Sequence, residues 1–323
     1  MNLNNSTKIS FIQFMPVSLF GSVMGLCGLC FSWRRAEKYW HFTEVPSIIF
    51  GWMAVVSFIA LAFCYSVKSI KYRDLVSSEF KNPVTLCFFA TISVSLLLLP
   101  GVILPYLPLT AKVMWIFGAS SMFLFAWYVF RSWIDNMQEQ EKAMPVWVLP
   151  IVGMLDLPIV GHQIDLPGMS EISIMAFGIG SIFSIILLTI IISRLIFQPA
   201  LPEAVQPSIL ILLAPMALAF TVYGQFKGVS DTILGALFYF NIFLLLVLGS
   251  KISMVLYSCP FKVSWWAVSF PLSAVTISTQ IYAQHKPDWV HQLLAAVLLV
   301  LTTAVIIFLF FQTLYKIAKR KLA

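Results

Sequence analysis

The chain has 323 residues, of which 60% are hydrophobic and 10% charged, with a formal net charge of +7. A soluble domain carries about 25% charged residues, so too few polar groups are present to cover a water-facing surface, and lipid is the expected solvent. The basic residues fall in short loops between apolar runs, which fits membrane topology and argues against nucleic-acid binding.

A helix needs about 20 largely apolar residues to cross a bilayer. Runs of this kind cover 11–33, 45–67, 83–104, 109–133, 145–162, 171–197, 207–226, 231–257, 264–284 and 289–316. Only Pro105–Pro108 divides the third from the fourth, and the fifth is short and interrupted by proline. Long continuous runs without strand-like alternation select helices over a barrel. The expected fold is an all-α membrane protein of ten transmembrane helices, with residues 1–323 forming a single transmembrane transport domain. Residues 1–10 are polar, and no small-residue cleavage site follows a short apolar core. The first run is therefore expected to be a spanning helix rather than a signal peptide.

Ten spans put both termini on one side. The N-terminus, the loops that follow even-numbered spans and the C-terminus hold most of the 20 Lys and Arg, from Lys8 through Lys68, Lys71, Arg73 and Lys81 to Lys319, Arg320 and Lys321. The other side holds Arg34, Arg35, Lys38, Lys112, Lys227 and Lys286. The positive-inside rule then predicts cytoplasmic termini. Arg34, Arg35 and Lys38, directly after the first span, oppose this locally, and the whole-chain sum decides.

Odd-numbered spans after the first begin at 83, 145, 207 and 264, which makes a helical hairpin the repeating unit. They also collect the prolines: Pro16, Pro100, Pro150 with Pro158, Pro215 and Pro271. In the even-numbered spans proline stands only at Pro46, where a helix begins and proline is tolerated. Interior proline removes a backbone hydrogen bond and kinks the helix. In a membrane this is tolerated where the freed carbonyls face protein or a water-filled cavity. The kinked set is thus expected to form an inner ring and the straight set an outer one.

Little in the chain suggests catalysis. It has no G-x-x-x-x-G-K-[ST] phosphate loop and no soluble stretch to house a nucleotide-hydrolysing domain. His41, His162, His285 and His291 lie near span ends without the pairing a metal needs. Cys27 and Cys30 form a C-x-x-C inside an apolar helix with no His or acid beside them, and read as small packing residues. Neither enzyme activity, a metal nor a cofactor is expected.

Three features carry the chemistry. Asp156 lies in an apolar stretch between Pro150 and Pro158. A carboxylate at mid-bilayer costs about 2.5–3.5 kcal/mol on insertion scales and usually marks an ion or proton route. Asp156 is therefore a candidate proton site, the alternative being an interfacial group bonded to freed backbone. Phe270 precedes Pro271 among Ser269, Ser273, Thr276 and Ser278. A bulky ring among hydroxyls at a kink suits a hydrophobic gate, although an ordinary packed Phe fits the pattern too. Gly21 and Gly25 form a small-xxx-small pair that permits close helix approach or leaves room for a pore.

Four segments in order, P-V-S-L-F-G at Pro16–Gly21, P-V-W-V-L-P at Pro145–Pro150, L-A-P at Leu213–Pro215 and W-A-V-S-F-P-L at Trp266–Leu272, resemble the tellurite-resistance/dicarboxylate transporter family, which includes bacterial TehA and the plant slow anion channels. The resemblance implies five tandem hairpins in quasi-five-fold arrangement, odd helices lining a central pore, and a homotrimer with one pore per protomer. It also places the family's gating phenylalanine on Phe270 and its gate-facing glycine on Gly21. The expected partners are small inorganic or carboxylate anions and the bilayer, in a bacterial cytoplasmic (inner) membrane. Two functions stay open: an anion channel gated by phenylalanine, and a proton-coupled C4-dicarboxylate or sulfite carrier that uses Asp156. The stretch around Asp156 departs from the uncharged pore of the TehA branch, which keeps the second alive.

Overall fold

A computed structural model describes residues 11–227, 232–258 and 261–319. Lys8, Cys259, Arg320 and Lys321 lie outside the described residues. Regular structure among the described residues is helical throughout. The principal segments are α1 (Val17–Trp40), α2 (Val45–Lys71), α3 (Pro83–Ile103), α4 (Pro108–Asp135), α5 (Pro145–Gly161) and α6 (Met169–Phe197). They continue with α7 (Glu203–Leu213 into Ala214–Lys227), α8 (Thr232–Ser258), α9 (Val263–Val268 into Ser269–His285) and α10 (Trp289–Ala318). Of these, α1 to α4, α6 to α8 and α10 are long and apolar enough to cross a membrane. A helical segment stands at each of the ten expected runs. Chain neighbours pack in pairs: α1 on α2, α3 on α4, α7 on α8 and α9 on α10.

Two segments depart from expectation. α1 does not stop at Trp33 but runs to Trp40, carrying Arg34, Arg35 and Lys38 on the helix instead of in a loop. A short helix, Arg73–Lys81, occupies the connection between α2 and α3, where the apolar pattern predicts no element.

Burial alternates along the chain. The most apolar windows of α1, α3 and α7 are 78%, 72% and 78% buried, whereas those of α2, α4, α6, α8 and α10 range from 22% to 33%. α5 and α9 are buried along almost their whole length. The buried segments are also the irregular ones. Tight 3₁₀ turns occupy Val17–Phe20 of α1, Pro145–Trp147 and Gly153–Leu155 of α5, Glu203–Leu213 of α7 and Val263–Val268 of α9. The α-helical parts of α7 and α9 begin one and two residues before Pro215 and Pro271. A proline there has no N–H to return to the carbonyl four residues back, so the preceding turns adopt i→i+3 bonding. Pro100 stands inside a continuous helix. The outer helices carry proline only at their first positions.

A buried ion pair fixes the start of α1. Lys68 of α2 is 1% exposed and its Nζ donates to the Met15 carbonyl at 2.8 Å. It pairs with Glu79 of the short helix at 2.5 Å, and Tyr65 donates to the other Glu79 oxygen at 2.8 Å. Removing one partner of a buried pair costs about 3 kcal/mol, because the remaining charge is left without compensation. Lys68→Met is therefore expected to lower the melting temperature in detergent. Lys68→Met with Glu79→Leu should recover part of the loss, which a thermal melt of both variants checks.

Candidate functional site

The five buried segments enclose a narrow cavity of about 40 Å³. Its wall takes Ser18, Gly21 and Met24 from α1, Phe88, Thr91 and Val94 from α3, and Val152, Gly153 and Asp156 from α5. It is completed by Ala214 and Leu218 from α7, and by Trp266, Phe270 and Pro271 from α9. One water needs roughly 10–15 Å³ of such space, so the cavity holds only a few. A second, wider cavity of about 670 Å³ lies towards the C-terminal ends of four of these segments, α1, α5, α7 and α9. It is lined by Phe31, Arg34, Arg35, Lys38 and Tyr39 of α1, Ile159 and Val160 of α5 with His162 and Gln163 just beyond it, Thr221 and Gln225 of α7, and Ile277 and Gln284 of α9.

The two cavities are close but separate. Along α9, Phe270 borders the narrow one and Ile277 the wide one. Seven residues of helix span about 10 Å. Along α5, Asp156 and Ile159 divide in the same way, over about 4.5 Å. Phe270 is 8% exposed and lines the narrow cavity.

The glycines of α1 explain how closely that ring is held. A Cβ on Gly28 would meet Phe270 Cδ2 at 3.5 Å and Ser273 Cβ at 2.6 Å. A Cβ on Gly25 would meet Ser269 Cβ at 2.6 Å. Gly21 borders the same cavity as Phe270, but its own neighbour is Trp266, at 3.6 Å from the position of a Cβ. An added Cβ would thus touch the ring at Gly28, while Gly21 shares the cavity wall with it.

The hydroxyls of α9 are placed differently from the sequence expectation. Ser269 and Ser273 sit in the contact with α1, and each donates to a carbonyl of its own helix region, Trp266 at 2.7 Å and Ser269 at 3.1 Å. Thr276 lies 2.8 Å from the Thr302 hydroxyl of α10. None of the three lines either cavity. Among the prolines only Pro271 lines the narrow cavity; Pro16, Pro100, Pro150, Pro158 and Pro215 shape the segments without lining it. The polar groups that do line it are Ser18, Thr91 and Asp156.

Asp156 is 1% exposed, and its Oδ1 is buried without a hydrogen-bond partner. No basic side chain lies within ion-pair distance of it among the described residues. A buried carboxylate with no partner is expensive, and this one lies on the wall of the narrow cavity. No group of His, Cys, Asp and Glu suited to a metal ion occurs among the described residues.

Residues 14–314 match the family model described as "Voltage-dependent anion channel". The chain is 24% identical over 307 residues to the "Tellurite resistance protein TehA homolog" of Haemophilus influenzae, covering 94% of this chain and 92% of that one. It is 25% identical over 324 residues to the "Guard cell S-type anion channel SLAC1" of Arabidopsis thaliana, covering 94% of this chain and 56% of the relative. It is 24% identical over 299 residues to the "S-type anion channel SLAH2" of the same plant, covering 89% and 56%. The chain thus spans little more than half the length of these plant relatives. Since the family model covers nearly the whole sequence, from the first buried segment to the last outer helix, the chain belongs to the voltage-dependent anion channel family.

Proposed function

We propose that the chain passes small anions across a membrane along the axis of its five buried segments, with Phe270 closing the path. In this reading the ten helical segments are ten spans, paired as five hairpins in a quasi-five-fold ring, and the whole chain acts as one transport unit. The carrying observation is a pair of cavities among the buried segments, α1, α5, α7 and α9 lining both and Phe270 bordering the narrow one. Membership of an anion-channel family and the names of its relatives support the ionic cargo. A largely apolar constriction with few fixed charges admits ions weakly and releases them fast, as conduction requires. We further propose a homotrimer with one path per protomer and cytoplasmic termini in a bacterial inner membrane, in keeping with the basic-residue bias. Chloride and nitrate flux into liposomes tests the reading. Flux above that of protein-free vesicles supports it, and none from either the wild type or Phe270→Ala contradicts it.

One observation favours a proton-linked carrier as the second reading: the unpartnered Asp156 carboxyl on the wall of the narrow cavity. If a proton enters and leaves with the anion there, malate or sulfite uptake is driven by an inward proton gradient. Asp156→Asn, which keeps the shape and loses the titration, is then expected to abolish gradient-driven accumulation while leaving downhill flux. Accumulation that persists in Asp156→Asn rules this reading out.

A further inference from the structure

The wide cavity gathers Arg34, Arg35 and Lys38 of α1 with Gln163 following α5, Gln225 of α7 and Gln284 of α9. Among the described residues no carboxylate comes within ion-pair distance of these three cations. The neighbouring acid on the same helix, Glu37, accepts instead from Ser47 of α2 at 3.4 Å.

Both guanidiniums are nevertheless held in place. Arg34 Nη1 donates to the Gly101 carbonyl of α3 at 2.6 Å. In a continuing helix that carbonyl would accept from residue 105, which is a proline and has no N–H. The arginine thus takes the part of a missing backbone donor. Arg35 Nη1 donates to Gln284 Oε1 at 3.3 Å. A guanidinium carries five N–H donors, and these bonds use a minority of them. No nitrogen of either arginine is both buried and unpartnered, and both side chains line the cavity.

We propose that this cavity is a capture site for small oxyanions, with Arg34 and Arg35 as the gripping pair and Gln284 as a residue that positions Arg35. The ligand class follows from donor geometry. The planar guanidinium matches two oxygens on one centre, as in a carboxylate or a sulfur oxyanion, better than it matches a halide. Three uncompensated cations further favour a divalent anion over a monovalent one. The proposal rests on the reading of the buried axis as an anion path, to which it adds a binding step ahead of the Phe270 constriction.

The test is the rise in melting temperature of the detergent-solubilised full chain with malonate or sulfate, at constant ionic strength balanced by chloride. Saturable stabilisation of the wild type is expected with either probe. Loss of a hydrogen bond to a charged group weakens binding by about tenfold or more, so Arg35→Gln should raise the half-saturating concentration by that factor. Arg34→Lys should do so less, since it keeps the charge. If Arg35→Gln fails to fold, Arg35→Lys carries the same test, with a several-fold rise expected from loss of the planar donor pair. No saturable effect in the wild type, or unchanged affinity in the arginine variants, overturns the proposal. Flux through Phe270→Ala liposomes, measured in parallel, separates the two ideas. Arginine-dependent binding without flux supports the site and removes the path. Flux without arginine-dependent binding removes the site and leaves the path.

Discussion

Phe270→Ala raises anion flux in proteoliposomes by about tenfold or more, equivalent to lowering the barrier by ~1.4 kcal/mol or more. The expectation follows from position. The ring lines the narrow cavity, whose wall is shared by α1, α3, α5, α7 and α9. A buried aromatic ring excludes water by sterics and by dewetting, and both effects go when the ring is cut back to a methyl group. Truncating a buried Phe also costs about 3–5 kcal/mol of stability, so the variant should melt earlier while conducting better. Conductance measured in planar bilayers checks the first effect and a thermal melt the second. A variant that melts earlier without conducting more would make Phe270 an ordinary packed residue.

Gly25→Ala has the opposite sign. Its new methyl group meets the Ser269 side chain within 2.6 Å of the Cβ, across the contact between α1 and α9. Ser269 has no longer arm to swing aside, so the helices must part. Overpacking of this kind costs about 1–3 kcal/mol. The same displacement disturbs the wall that carries Phe270, one residue further on, so both expression and regulated flux should fall. Gly25→Ala combined with Ser269→Gly moves the methyl-sized volume from one helix to the other and should restore both. Failure of the pair to recover, measured as melting temperature against each single variant, would show that the contact does not set the spacing of α1 and α9.

Hydropathy makes the helices legible, because lipid leaves the backbone no other way to satisfy its hydrogen bonds. The proline pattern makes the division into buried and lipid-facing segments legible. Pro215 and Pro271 stand where 3₁₀ turns give way to α-helix, and the segments that contain them are the buried ones. The sequence is less informative about direction within a buried helix. α9 is covered on nearly every side, so period alone does not say which residues face a cavity. Ser269, Ser273 and Thr276 match a polar pore lining by type, yet they serve helix contacts, the common use of small polar residues between membrane helices. For the same reason period alone does not separate Gly28, whose added Cβ would touch the Phe270 ring, from Gly21, which borders the cavity with it.

Charge misleads in another way. Arg34, Arg35 and Lys38 stand out as a local exception to the basic-residue bias and look like loop residues that end the first span. In the structure they extend α1 by seven residues beyond Trp33 and line the wide cavity. Pro105 carries the missing signal. It removes the donor that Gly101 would have used, and so creates the acceptor that holds Arg34. That link joins two helices distant in sequence and is visible only once both are packed.

The central claim is that ions travel through the narrow cavity. Val152 of α5 lines it and is 1% exposed, whereas Val56 of α2 is 64% exposed on the outer surface. A bilayer recording of Phe270→Ala carrying Val152→Cys, before and after a charged methanethiosulfonate reagent, tests the claim most directly. The predicted result is a large and lasting change in current at Val152→Cys and none at Val56→Cys or in the parent with its native cysteines. Current that flows unchanged after verified modification of Val152→Cys would contradict it.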